Sequence, residues 1–276
     1  MDNSGDLTST LFKAPGSRNE RSYMKITILG TGTATPRLER NASGLIVSAA
    51  GSRVLVDVGP GILRRICEAG IDYKSIDIIL ITHFHPDHVS DLTPLLFASN
   101  YAHGSFREEP FLLIGPTGLG QFYQALVRVY GNWIVPTGNR LIKKEMNAHA
   151  PDIFVSEGLV IRSAPAAHSN PAVSYRLEAE GLSVSVSGDT DISENLVELA
   201  RNTDIFICEC SMPEGSKIPG HLVPAEAGIM AERARAKQLI LTHFYPPCDE
   251  ADVVKQASKT FSGQIIKGED LMVIKM

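Results

Sequence analysis

The stretch Ile76-Asp77-Ile78-Ile79-Leu80-Ile81-Thr82-His83-Phe84-His85-Pro86-Asp87-His88 drives an apolar run of strand length directly into three imidazoles and a carboxylate. Such a nearly continuous apolar segment is the pattern of a strand buried on both faces, so residues 82–88 form a turn at a strand's carboxyl end. While the chain stays extended, His83 and His85 project to the same side, about 7 Å apart along the backbone, close enough to share one ion. Pro86 then forces a bend. Asp87 and His88 follow at the start of a helix predicted over Val89 to Tyr101, and reach the same space from another angle. One turn can thus serve two metal ions. Capping of a helix by Asp87 would explain that residue alone. It does not explain three histidines beside it.

Distant partners are available. His168 lies in Ala166-Ala167-His168-Ser169-Asn170, Asp189 in Ser187-Gly188-Asp189-Thr190, and His243 in Leu241-Thr242-His243-Phe244-Tyr245. Each follows an apolar or alternating run that reads as a strand, so all three are placed at strand ends. In this order the residues resemble the metallo-β-lactamase superfamily, and within it the branch of ribonuclease Z and related phosphodiesterases. The resemblance runs from Lys25 to near the C-terminus. It implies a four-layer αββα sandwich of mixed α+β class, with two mixed sheets face to face, helices outside, and the ligand turns along one edge. It also implies that His83, His85 and His168 hold one metal, that Asp87, His88 and His243 hold the other, and that Asp189 bridges both.

Glu209, in Cys208-Glu209-Cys210-Ser211, and His221, in Gly220-His221-Leu222, resemble the glutamate and histidine that this branch places between its bridging aspartate and its last histidine ligand. They read as a proton-delivery pair, together with Asp87 as a ligand that also accepts a proton. A carboxylate bonded to one imidazole nitrogen fixes the tautomer and leaves the other nitrogen to protonate a leaving alkoxide. Two cations about 3.5 to 4 Å apart would activate a bridging water and neutralise phosphoryl charge, which suits an anionic phosphodiester. Imidazole and carboxylate ligands without thiolate favour two Zn²⁺ and accept Mn²⁺ or Fe²⁺.

Composition agrees with a single enzyme domain. The 276 residues, 43% of them hydrophobic, suffice for one large core. Residues 1–23 read as a flexible polar tail without an apolar signal region, with Met24 a plausible alternative start, and 24–276 as the hydrolase domain. No stretch reads as a transmembrane span. Cys67, Cys208, Cys210 and Cys248 lack zinc-knuckle spacing, and Cys208 and Cys210 alternate along an apolar strand; reduced thiols and a cytoplasmic location are expected. The Asn41-Ala42-Ser43 sequon then carries no glycan. Gly30-Thr31-Gly32-Thr33-Ala34-Thr35-Pro36 begins like a dinucleotide fingerprint but lacks the third glycine, and Pro36 stands where a helix should run. It reads as a tight loop bordering the site. Asp57, in Asp57-Val58-Gly59-Pro60-Gly61, is expected to hydrogen-bond loop backbone near the metals and is not counted as a ligand.

Substrate is approached through what is missing. The arm by which ribonuclease Z grips tRNA falls, by the resemblance, between the third histidine ligand and the bridging aspartate. Here the interval from His168 to Asp189 is short and must already supply strands. Asp191 also stands where the family carries an arginine, and the net charge is −5 with a pI of about 5.9. A protein that grips many phosphates usually shows a basic face, and Lys143-Lys144 is a poor candidate for one. These departures favour a small phosphodiester such as a cyclic nucleotide, in a homodimer, with tRNA 3′-processing as the alternative. Ser169, Asn170 and Arg176 are expected near the substrate. A thioester or lactone hydrolase would not be expected to carry the Glu209 and His221 pair, and a non-catalytic nucleotide-binding scaffold would be expected to lose ligands.

Overall fold

The computed structural model describes residues 23–101, 106–169 and 171–276. Most of the predicted tail and Asn170 lie outside them. Hydrophobic residues at alternate positions along each strand build two sheets with cores on both faces. The first sheet collects β1 (Lys25–Gly30), β2 (Gly44–Ala49), β3 (Ser52–Val56), β4 (Ile78–Leu80), β5 (Phe111–Pro116) and β6 (Leu141–Met146). The second collects β7 (Asp152–Ser156), β8 (Leu159–Pro165), β9 (Val173–Ala179), β10 (Leu182–Val186), β11 (Ile205–Glu209), β12 (Gln238–Thr242) and β13 (Gln264–Lys267). The last strand, β14 (Val273–Lys275), returns to the first sheet beside β1, giving the order β14-β1-β2-β3-β4-β5-β6 against β13-β12-β11-β10-β9-β8-β7. In each sheet an antiparallel portion passes into a parallel one, at β3–β4 and at β10–β11.

Leu45 and Val47 of β2 face the layer between the sheets, where they meet Tyr175, Leu177, Val184 and Ile207, while Ile46 faces outward. On the outer side of the first sheet pack α1 (Ile62–Glu68), α2 (Pro86–Val89), α3 (Leu92–Tyr101) and α4 (Leu119–Tyr130). On that of the second lie α5 (Glu194–Leu199), α6 (Pro224–Ala234), α7 (Pro247–Glu250) and α8 (Val253–Ala257). The architecture is the four-layer αββα sandwich. Among the described residues no helix is long and apolar enough to cross a membrane.

The elements differ from the sequence expectation where local bonds override periodicity. The predicted helix from Val89 divides at Ser90 and Asp91, because Asp91 N–H donates to Val58 O (2.9 Å) and its carboxylate accepts from Leu63 N (2.9 Å). Helices α7 and α8 are separated at Ala251 and Asp252, with Asp252 capping the second by accepting from Lys255 N (2.9 Å). Strands β6, β7 and β13 were not expected: their half-exposed residues, two adjacent lysines among them, lack a clean alternation.

Two bonds join the sheets directly behind the metal-ligand turn. Buried Tyr175 donates its hydroxyl to Ile81 O (2.8 Å), and Val173 N–H donates to Thr82 O (2.9 Å). Gly59 lets the loop after β3 pass close beneath the same turn, since a Cβ there would lie 2.2 Å from Asp87 O. Strand β4 and the carboxyl ends of β8, β10, β11 and β12 therefore open on one edge of the sandwich.

Candidate metal centre

At that edge the turn after β4 supplies His83, His85, Asp87 and His88; the loop after β8 supplies His168, the end of β10 Asp189, and the end of β12 His243. One ligand atom from each of His83, His85, His168 and Asp189 lies within 4.8 Å of the others, and the same holds for Asp87, His88, Asp189 and His243. All seven expected residues meet, in the expected division, with Asp189 common to both groups.

Outer hydrogen bonds decide which nitrogen each histidine presents. His88 Nδ1–H donates to Asp57 Oδ2 (2.7 Å), His168 Nδ1–H to Gly220 O (2.9 Å), and His243 Nδ1–H to Ser211 Oγ (3.1 Å). His83 Nδ1 lies 3.0 Å from Thr82 Oγ1, whose own proton goes to Asp57 Oδ2 (2.9 Å). The rings of His83, His88, His168 and His243 therefore turn a bare Nε2 inward, whereas His85 brings Nδ1 to 3.3 Å from His168 Nε2. His88 Nε2 and His243 Nε2 lie 3.2 and 3.3 Å from Asp189 Oδ1, and 3.4 Å from each other. Those are salt-bridge distances. Even so, Asp189 Oδ1 and His83 Nε2 are both buried without a hydrogen-bond partner. Geometry resolves the contradiction: with both Nδ1 protons donated outward, acceptor faces acceptor, and only a positive charge among them satisfies the set.

The ionisation of the metal-free site agrees. Burial and the neighbouring His88 push His83 down to about 2. Burial also disfavours a charged His88, yet Asp189 and Asp57 together raise its proton affinity well above the ordinary value. Asp87, despite burial, is held at about 2 by the neighbouring imidazoles of His243 and His88. Burial is likewise overcome at Asp189, which His243 and His88 hold well below the usual carboxylate range. A pocket that keeps its carboxylates ionised and draws a proton onto a buried imidazole suits divalent cations, and its donors, imidazole and carboxylate without thiolate, fit such a group.

Glu209, at the end of β11, is buried. Its Oε1 accepts from His221 Nδ1 (2.9 Å) and Thr190 N (2.7 Å), and its Oε2 from Ser211 Oγ (2.7 Å) and Leu222 N (3.2 Å). Burial lowers the proton affinity of His221, but the bonded Glu209 outweighs it, with Asp189 and Asp87 adding to the rise above the ordinary value. The His221 ring stands 4.9 Å from that of His168 and 5.7 Å from that of His243, at the mouth of both groups. Its loop is tied down by Asp191, which accepts from Lys217 Nζ (2.6 Å) and Gly220 N (3.3 Å).

Three expectations need revision or extension. Arg176 is not beside the metals: it donates to Glu178 Oε1 (2.7 Å) and to the carbonyls of Leu199 and Arg201 at the outer end of α5. Asp57 does accept from loop backbone, Thr82 N at 2.8 Å, and in addition orients His88. Ser211, which carried no weight in the sequence, touches Glu209, His221 and His243 together. Its signal is the Glu-x-Ser spacing at a strand end, which puts both side chains on one side. The glycine loop 30–36 borders the site as expected, with Gly32 bridged to Phe244. Cys208, Cys210 and Cys248 are buried, Cys67 is exposed, and all four are free thiols.

The family model described as anti-Pycsar protein Apyc1 matches residues 24–265. The chain is 30% identical to ribonuclease Z of Mycobacterium bovis, an alignment that covers 90% of this chain and 96% of that protein. Among solved structures it resembles human tRNase Z, short form, at a TM-score of 0.74 and 25% identity, covering 91% of this chain and 98% of that one. It also resembles the metallo-β-lactamase fold protein YhfI from Bacillus subtilis, at a TM-score of 0.79 and 21% identity over 93% and 100% of the two chains. The fold, the convergent histidines and aspartates, and these likenesses together place the chain in the ribonuclease Z-like branch of the metallo-β-lactamase superfamily, whose members are metal-dependent hydrolases.

Proposed function

We propose that the chain is a phosphodiesterase that hydrolyses a small phosphodiester, such as a cyclic nucleotide, with two divalent ions, Zn²⁺ first and Mn²⁺ or Fe²⁺ as substitutes. The observation that carries the substrate class is the His168 to Asp189 interval. It is filled by β9 and β10, which pair from Leu182 against Ala179 around Glu180-Gly181 and leave no length for a protruding arm.

His83, His85 and His168 would hold one ion, Asp87, His88 and His243 the other, and Asp189 both. The ions, when bound, supply an activated water and neutralise charge on the phosphoryl oxygens. Asp87, half-enclosed and ionised, accepts the nucleophile's proton. Glu209 fixes the Nδ1 proton of His221, so Nε2 is the nitrogen that donates to the departing oxygen. The resemblance to ribonuclease Z of Mycobacterium bovis supports a second reading, tRNA 3′-processing in place of small-diester hydrolysis. Either activity would belong in the cytoplasm, consistent with four free thiols.

We also assign the homodimer expected from sequence to the aromatic face of α3 and the turn after α4. There Phe97, Tyr101, Tyr130 and Trp133 stand 45 to 59% exposed, with Phe97–Tyr101 and Tyr101–Trp133 ring centroids 5.2 and 5.1 Å apart. So much adjoining aromatic surface is unusual for a monomer.

Three measurements follow from this reading. At fixed moderate salt, kcat/KM on cyclic mononucleotides or bis(p-nitrophenyl) phosphate should far exceed that on a 3′-extended precursor tRNA; efficient cleavage after the tRNA discriminator base would restore the ribonuclease Z reading. His221→Ala should keep its metal and lose about 10² to 10⁴ in turnover on diesters with poor leaving groups, but much less on p-nitrophenyl esters. Equal losses on both would remove His221 from the acid role. In sedimentation equilibrium the protein should be a dimer that Trp133→Glu dissociates, and a wild-type monomer would contradict the pairing.

A further inference from the structure

Ser211 has no place in the reaction just described, yet it is completely buried at the junction of its parts. Its backbone is fixed on both sides: Ser211 N–H donates to Leu222 O (3.1 Å), and its carbonyl accepts from Tyr245 N (3.0 Å) and from the Cys248 thiol (3.2 Å). The backbone that carries the hydroxyl is thus anchored. From there Oγ lies 2.7 Å from Glu209 Oε2, 3.1 Å from His243 Nδ1 and 3.1 Å from His221 Nδ1.

A hydroxyl has one proton to give. The Glu209 carboxylate already accepts from the backbone N–H groups of Thr190 and Leu222 and makes the shortest contact with Oγ, so the proton of Ser211 goes to Oε2. Ser211 Oγ must then act as acceptor toward His243, which obliges His243 to carry its proton on Nδ1 and to present a bare Nε2 to Asp87 and Asp189, 3.5 and 3.3 Å away. Glu209 Oε1 meanwhile takes the Nδ1 proton of His221. A continuous chain of bonds therefore runs from the second metal group through His243, Ser211 and Glu209 to His221. The other ligands have separate supports, Thr82 for His83, Gly220 O for His168 and Asp57 for His88, so this coupling is confined to one group.

We infer that Ser211 is a positioning residue that couples the second metal group, through His243, to the Glu209–His221 pair, so that one hydroxyl sets both the metal-binding tautomer and the direction of proton delivery. The inference rests on the two-ion reading above, but not on the identity of the substrate. Loss of the hydroxyl leaves a buried imidazole N–H and a carboxylate oxygen each short of a partner, whereas loss of the His221 ring leaves His243 supported.

The test is calorimetric titration of chelator-stripped protein with Zn²⁺, which needs no substrate. Ser211→Ala should weaken the second equivalent by about 10- to 100-fold and leave the first unchanged, in the range found when outer partners of metal ligands are removed. Ser211→Thr, which keeps the hydroxyl, should restore it, and His221→Ala should bind both equivalents as the parent does. At saturating metal, Ser211→Ala should also lose more turnover on poor leaving groups than on p-nitrophenyl esters. Should Ser211→Ala not fold, Glu209→Gln reads the same chain, with a weaker second equivalent expected. An unchanged second equivalent in either variant overturns the coupling alone. A parent protein that binds a single equivalent overturns the coupling together with the two-ion reading.

Discussion

The structure depends on one electrostatic constraint: six buried or half-buried donors and the exposed His85, drawn from both sheets, direct lone pairs into a small space and cannot stay there without positive charge. Hydrogen bonds on the far side of three of the rings enforce this. His88, His168 and His243 give their Nδ1 protons to Asp57, Gly220 O and Ser211, so none can rotate its proton inward to relieve the repulsion. A site of this kind is costly to assemble, because buried acceptors that face acceptors forgo hydrogen bonds worth about 1 to 3 kcal/mol each. The sandwich exists in its observed form because the layers behind the site are stable enough to hold it.

That support is visible in the packing. Large aliphatic side chains fill the layer between the sheets, and Tyr175 and Val173 reach across it to the carbonyls of Ile81 and Thr82, fixing the metal-ligand turn of one sheet against the other. Two residues of the site, Asp57 (φ 59°) and His243 (φ 61°), are held in left-handed backbone conformations that side chains other than glycine seldom adopt. Strain of about 1 to 3 kcal/mol at each is the expected magnitude, and it persists where the surroundings over-determine the conformation. At His243 the next residue is clamped: Phe244 N–H donates to Thr31 O (2.8 Å), and its ring lies under the Arg40 guanidinium (4.7 Å), which is itself bonded to Asp249.

Much of this was legible in the sequence, for physical reasons that can be named. The ligand turn was readable because a strand buried on both faces leaves an unbroken apolar run, and a metal site leaves a density of imidazole that no capping role explains. The remaining ligands were readable only as a set, since a lone His168 or His243 is an ordinary residue. Edge strands β6, β7 and β13 escaped because half-exposed residues blur alternation. The break in the helix after Val89 escaped because it depends on Asp91 bonding to Val58 and Leu63, contacts that periodicity does not encode. Arg176 was misplaced for a related reason: β9 begins near the site, but this side chain turns toward the outer end of α5. Ser211 was invisible because its importance comes from three partners on three elements.

The central claim is that two cations complete the site, with Asp189 shared between them. Elemental analysis of protein purified without chelator, read beside Asp189→Asn, tests it most directly. The account expects close to two transition-metal ions per chain in the parent, and in the variant a fall in metal content and turnover together. A parent that is fully active with one ion per chain, or an Asp189→Asn variant that keeps two, would contradict it.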